Sequence, residues 1–309
     1  MIKNIYRKLT FLLTIISNGN NFYIESDKRK LKLNTTFGHP LKSYLKKSPN
    51  FDRLLPYLSL VSNKTIIDIG SNIGDTAVLI KSINDIKLIC VDPDPTFNMV
   101  LKKNIADNNL KDLTLYPFAI SGRHRKISIK KNLLRNTGVL VDSDNGIETK
   151  TFEHLLNDLK LDISEVGIIK IDTDGYDWDC LETIGHYLSK LDGGKYPDFI
   201  YYEHQTYLND RGKFDEERLD REQRYLDSLN KLRDFNYNQY FIFDNMGTFI
   251  IHTSNLNMLN QIVTYIRNSE LENNYTPFWY CDVLISNCKN VDIVNNIIEK
   301  GNEQRIRVT

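Results

Sequence analysis

A β-branched run, Thr65–Ile69, gives way to a turn carrying Gly70 and Gly74, and a second apolar run, Lys87–Val91, ends on Asp92 within the segment VDPDP, residues 91–95. Helical spacing begins at Gly74 and fills the interval between the two runs. Strand, tight glycine turn, helix, strand and terminal carboxylate together describe half of a nucleotide-binding unit in a parallel α/β sheet.

The turn's spacing narrows the ligand. A pyrophosphate-binding turn has the form G-x-G-x-x-G, so that backbone amides meet the phosphates at a helix N-terminus. Here the pattern is D-x-G-x-x-x-G over Asp68–Gly74, with Asn72 where the second glycine would stand. An acid inside the turn repels pyrophosphate but suits the ammonium group of a methionine moiety. The expected cofactor is therefore S-adenosylmethionine and not NAD. Gly70 and Gly74, flanking Ser71, let the backbone approach the methionine portion, while Asp75 or Asn72 contacts its polar end. Asp92, followed by Pro93, takes both ribose hydroxyls. Phe118–Ser121 passes along the adenine edge, with a backbone amide at Ala119 or the Ser121 hydroxyl as donor. Each of these residues, taken alone, also suits an ordinary cap or turn.

The rest of the chain repeats the alternation. A hairpin is expected across Ser26–Arg29, from Phe22–Glu25 to Lys30–Asn34, and a helix over Phe51–Leu60. Helices at 74–83 and 95–108 separate strands at 65–69, 87–92 and Leu113–Phe118. Lys126–Lys131 alternates as an antiparallel strand, and Leu133–Gly146 reads as a loop. A helix over 151–160 precedes the continuously apolar Val166–Ile171, which suits a central parallel strand. A helix at 177–189, a strand Phe199–Glu203 and a charged helix Asp215–Asp234 with a solvated face follow. Tyr240–Phe243 and Thr248–His252 flank a DNMG turn, and a helix 256–268, a strand Asp282–Ser286 and a helix 291–300 close the chain. Strands alternating with helices specify a doubly wound, mostly parallel sheet with helices on both faces.

With 41% apolar residues the 309-residue chain has ample material for one core, so residues 51–309 are expected to form a single domain, with 1–50 an N-terminal helix and hairpin extension. Net charge is zero, which argues against bulk nucleic-acid affinity. Residues 1–50 nevertheless carry ten Lys and Arg against two acids. Such an arm can dock peripherally on an anionic membrane surface or a phosphorylated substrate, although a solvated surface is the plainer reading. Ile2, Ile5, Leu9, Leu12, Leu13 and Ile16 share one helical face, and the apolar run is too short for a membrane span. Cys90, Cys180, Cys281 and Cys288 form no C-x-x-C pair, so a reduced, cytoplasmic protein without structural zinc is expected.

Three later segments carry a resemblance. TFEHLLNDLKL at 151–161, GIIKIDTDGYDWDCLETI at 167–184 and PDFIYYEHQ at 197–205 resemble FkbM-type methyltransferases. The family's K-I-D-x-E-G-x-E is matched here by Lys170-Ile171-Asp172-Thr173-Asp174-Gly175-Tyr176-Asp177, both glutamates shortened to aspartate. DIGSNIGD, VDPDP, NIADNNL at 104–110, PFAISG at 117–122 and the aromatic-Tyr-Cys-Asp-Val-Leu run at Trp279–Leu284 resemble the family too. The resemblance implies a class I methyltransferase (Rossmann-like) fold and O-methylation of hydroxyls, often on sugars or glycans.

Methyl transfer to a sugar hydroxyl benefits from a general base in hydrogen-bond reach. His204, oriented by Glu203, is the first candidate, with Asp172 and Asp174 shaping the acceptor pocket; Asp172 also borders the cofactor. Asp172 and Asp174 would alternatively hold a divalent ion, but a capping role is preferred and no metal is expected. Two other readings stay open: a non-catalytic cofactor-binding scaffold of a glycan-assembly complex, and an NAD-dependent sugar-modifying enzyme.

Overall fold

The computed structural model describes residues 21–36, 41–47, 54–132, 137–208, 216–273, 276–300 and 306–309. The expected amphipathic helix at Ile2–Ile16 and the 50/51 boundary lie outside them.

In chain order the elements are β1 (Asn21–Glu25), β2 (Lys30–Asn34), α1 (Leu41–Lys47), α2 (Leu54–Ser62), β3 (Thr65–Ile69), α3 (Asp75–Ile83), β4 (Leu88–Val91), α4 (Pro95–Asp107) and β5 (Leu113–Tyr116). There follow β6 (Ala119–Ile120), β7 (Lys126–Asn132), β8 (Thr137–Asp142), β9 (Ile147–Lys150), α5 (Phe152–Leu159), β10 (Val166–Ile171), α6 (Asp177–Leu188) and β11 (Phe199–His204). The last are α7 (Glu216–Arg233), β12 (Gln239–Asp244), β13 (Phe249–Thr253), α8 (Leu256–Asn273), β14 (Cys281–Ser286), α9 (Val291–Lys300) and β15 (Arg307–Val308).

The central sheet has the order β13-β12-β14-β11-β10-β3-β4-β5. β5, β4, β3, β10 and β11 run parallel, whereas β14, β12 and β13 pair antiparallel. The chain winds outward from β3 to β5, then returns to β10 and winds the other way. The switch point therefore lies between β3 and β10, where open α/β sheets bind ligands. This is the doubly wound, mostly parallel architecture that the sequence implied.

Both faces are covered. One packs Phe152, Leu181, Leu229 and Leu259, from α5, α6, α7 and α8, on Ile69, Ile171 and Tyr202. The other packs Leu58, Ile80, Leu101 and Ile297, from α2, α3, α4 and α9, on Ile66, Cys90 and Tyr201. Two-sided burial explains why β3, β4 and β10 read as unbroken apolar runs. The hairpin β1–β2 forms as expected and takes β15 as a third strand. Its Phe22, Ile24 and Leu33 share a core with Val78 and Leu79 of α3, and Asn34 and Asn104 are hydrogen-bonded between β2 and α4.

Two expectations are corrected. The loop placed at Leu133–Gly146 contains β8, which pairs with β7 from Asn132↔Thr137 to Ile127↔Asp142. Val139–Val141 is too short a run to announce a strand without its partner. Nor is α7 merely a solvated helix. It buries Arg218, Arg221, Tyr225, Leu229 and Leu232, because Arg218 meets Glu270 of α8 at 2.9 Å and loses its charge penalty there.

Candidate active site

Strand register decides which side chains share a face. Lys170 stands level with Asp68 on one side and Tyr201 on the other, and Glu203 stands level with Asp282 of β14. Side chains alternate along a strand, so Asp68, Lys170, Asp172, Glu203 and Asp282 lie on one face. A row of carboxylates thus crosses the carboxyl edge of the sheet at its switch point.

At its centre, Lys170 Nζ sits 3.2 Å from Asp68 and 3.0 Å from Asp172. Asp68 is fully buried, and burial raises its pKa against the counter-pull of Lys170. This corrects the role expected for Asp68. Its charge answers Lys170 beneath the turn instead of being offered to an ammonium.

The turn above is shaped by close approach. A Cβ on Gly70 would fall 1.7 Å from the Asp172 carbonyl oxygen, and φ there is +83°. A Cβ on Gly74 would fall 2.2 Å from Leu101 Cδ1 at φ +80°. Only glycine meets both demands. Asn72 is also left-handed, with φ 46°, and its N–H donates to Asp92 Oδ2 at 2.9 Å. Asp92 Oδ1 accepts the Asp94 N–H at 2.7 Å across Pro93, and Asp94 in turn caps α4 through Thr96 N–H. Desolvation dominates at Asp92 and pushes its carboxyl up to about 7. Asn98 donates to the Asp92 carbonyl at 2.9 Å. Asp75 opens α3 directly after Gly74.

The loop after β10 is held by Asp177, which is fully buried. One oxygen accepts the Thr173 N–H at 3.0 Å and the Thr173 hydroxyl at 2.5 Å; the other accepts the Glu203 N–H at 3.0 Å. It thereby ties the loop after β10 to the end of β11. Burial drives its carboxyl up to about 7. Asp174 (φ 54°) and Gly175 (φ 99°) turn this loop over. Glu203 is raised well above the ordinary carboxylate range, first by desolvation and then by the charges of Asp172, Asp282, Asp177 and Asp174. The Tyr280 phenol is raised too, by burial and the charges of Glu203, Asp282 and Asp172.

Two further expectations are corrected. His204 points to the opposite face from Glu203: its Nδ1 lies 3.2 Å from the Tyr202 hydroxyl, and its ring stacks on Tyr225 at 4.1 Å. Burial pushes its pKa down to about 3. Strand alternation, not sequence adjacency, sets orientation, so Glu203 does not orient His204. Ser121 is also committed elsewhere. Its hydroxyl donates to Asp179 Oδ2 at 2.6 Å, and Ala119 pairs with Thr149 in the small sheet β6-β9-β7-β8.

Asp177, Lys170 and Asp94 were visible in the quoted motifs without an assigned role; Asp-Pro at residues 94–95 is a recognisable cap signal. Tyr280 and Asp282 lie in the Trp279–Leu284 run without an assigned role, since only the antiparallel pairing of β14 brings Asp282 level with Glu203 at this edge. A cleft of about 550 Å³, lined by Thr151, Leu181, His186, Tyr187, Arg224 and Lys231, lies between α5, α6 and α7, away from the strand ends. Among the described residues no group of His, Cys, Asp and Glu has a metal-holding arrangement. None of their helices is long and apolar enough to cross a membrane.

No family model and no curated protein matches the chain. Solved structures to which it is similar include the O-methyltransferase from Bacillus cereus in complex with SAH, at 10% identity over 76% of this chain and 80% of that one, TM-score 0.40. The plantazolicin methyltransferase BpumL in complex with SAH shows 15% identity over 80% and 88%, TM-score 0.37. The bifunctional kinase-methyltransferase WbdD shows 12% identity over 82% of this chain and 43% of WbdD, TM-score 0.43. Values this low leave the chemistry to the site's own residues.

Proposed function

We propose that the chain is an S-adenosylmethionine-dependent O-methyltransferase of FkbM type, acting on a hydroxyl of a sugar or glycan. The observation that carries the reading is the Asp92 carboxylate held against the Gly70–Gly74 turn at the switch point. The residues present fit the cofactor: Asn72 Oδ1 and Asn98 Oδ1 are buried acceptors beside Asp92 without a hydrogen-bond donor among the described residues, and Asp92 accepts only one N–H on each oxygen. Such a surplus of acceptors suits a ribose diol. Gly70, Ser71, Asn72, Gly74 and Asp75 would border the methionine portion, with Asp92 and Pro93 at the ribose and Asp172 between cofactor and acceptor.

When bound, the cofactor supplies an electrophilic methyl group on its sulfonium. The chain's own part is to bind and orient the hydroxyl and to take its proton. Carboxylates accept from sugar hydroxyls, and Tyr280 lies among Glu203, Asp282, Asp172 and Tyr207 at this edge. Glu203 is the base in this proposal, because it ends β11 on the face shared with Asp172 and Asp282, where burial and the neighbouring carboxylates raise its pKa above the ordinary carboxylate range. Asp172 and Asp174 hold neighbouring hydroxyls. The base acts only when ionised, so the rate should rise with pH through a carboxyl titration and then level.

The test is methyl transfer from S-adenosylmethionine to free and lipid-linked sugars, read as a mass gain of one methyl. Glu203→Gln should lower kcat by about 10²–10⁴-fold with cofactor affinity kept. A Glu203→Gln variant with full kcat would move the role to Asp172 or Asp174.

A further inference from the structure

The segment after β11, residues 205–208, is held from outside the sheet by one helix face. Tyr225 of α7 donates its hydroxyl to the carbonyls of Glu203 at 3.1 Å and Gln205 at 3.2 Å. Arg221 Nε donates to the Thr206 carbonyl at 2.7 Å, and Arg218 Nε to the Thr206 hydroxyl at 3.1 Å. Both arginines are buried, at 4% and 1% exposure, in a region where an unpaired cation is very costly. Their charge is met by Glu270 of α8, 2.9 Å from Arg218 Nη2, by Glu217, 3.4 Å from Arg221 Nη1, and by Glu222, which lies 3.9 Å from Arg218 Nε and is also paired to Arg267.

This cross-link reaches the acceptor edge by contact. The Gln205 side chain donates to the Tyr207 carbonyl at 3.1 Å. A Cβ on Gly175 would stand 2.9 Å from that same carbonyl and from Leu208 Cδ2, so the loop carrying Asp172 and Asp174 rests directly on residues 205–208. The Arg218 guanidinium also lies over the Tyr207 ring at 5.9 Å.

We infer that Arg218 and Arg221, acting through Thr206, are positioning residues that fix the acceptor wall formed by Tyr207 and the Asp172–Gly175 loop. The inference rests on the proposed reading of this edge as the acceptor side. Charge alone does not explain the arrangement, since an ion pair needs no buried fork on a single threonine. Planar guanidinium donors at Nε give the direction that a lysine lacks.

Thr206→Val removes the Arg218 acceptor while leaving the Arg218–Glu270 pair intact, and Thr206→Ser restores the hydroxyl. Two readouts on the full chain decide the matter. Amide hydrogen exchange in Thr206→Val should rise by about tenfold or more across 205–208 and 173–176, with β3 and β4 unchanged, and return to wild type in Thr206→Ser. For methyl transfer to a panel of methyl glycosides, KM for the glycoside should rise by about tenfold in Thr206→Val, while affinity for S-adenosylhomocysteine stays within about twofold. Unchanged exchange in the loops, or an equal rise throughout β3 and β4, overturns the inference, as does a loosened loop with an unaltered glycoside KM. A wild type that binds no S-adenosylhomocysteine defeats the functional reading, and the exchange experiment then decides positioning by itself.

Discussion

At the residue scale the site is defined by acids removed from water. Asp92 and Asp177 both have carboxyls pushed up to about 7 by burial. The folded chain therefore binds more protons than the unfolded one between about pH 4, the ordinary aspartate value, and about pH 7. Their contribution to stability is full below the lower value and is lost as pH rises through the upper one. Urea midpoints should accordingly fall between about pH 4 and 7, and Asp177→Asn should flatten part of that slope. An identical pH dependence in the variant would refute the assignment. His204 gives the converse case. Buried and pushed down to about 3, it stays neutral through the physiological range, so rate profiles should carry no histidine titration. His204→Phe preserves the stack on Tyr225 and should leave kcat within about threefold, whereas His204→Ala leaves a cavity and should cost about 2–4 kcal/mol of stability. A collapse of kcat in a well-folded His204→Phe would restore it as the base.

At the element scale the turn between β3 and α3 is the part most tightly specified by its residues. Gly70→Ala drives a methyl into a backbone carbonyl that cannot withdraw without parting β3 from β10. Gly74→Ala meets the far end of a leucine side chain, which can turn. Thermal denaturation should show Gly70→Ala as the more damaging substitution, by about 3 kcal/mol or more overall. The reverse order would mean that the backbone approach is not what holds this edge. The parallel half of the sheet was legible in the sequence because β3, β4 and β10 are buried on both faces and α3, α4 and α5 start at a glycine or a cap. Thr151 capping α5 is one such signal, its hydroxyl accepting the His154 N–H. What stayed hidden depended on partners distant in sequence. β8 is defined by β7, Asp282 reaches the edge through antiparallel pairing, and the buried Arg218 of α7 is met by Glu270 of α8. That Glu203 and His204 point to opposite faces follows from period-two alternation along β11.

At the scale of the whole molecule, two packed faces hold a sheet whose winding reverses between β3 and β10, and the polar residues gather where it reverses. The glycine turn and Asp92 lie on one side of that point, with Asp172, Glu203 and Asp282 on the other. The central claim is that this edge binds S-adenosylmethionine through Asp92. Calorimetric titration of the full chain with S-adenosylhomocysteine, alongside Asp92→Ala and an NAD control, tests it most directly. The account predicts binding by the wild type, a loss of about 1.5–3 kcal/mol in Asp92→Ala, and no comparable affinity for NAD. Equal affinity in the variant, or tight NAD binding by the wild type, would contradict it.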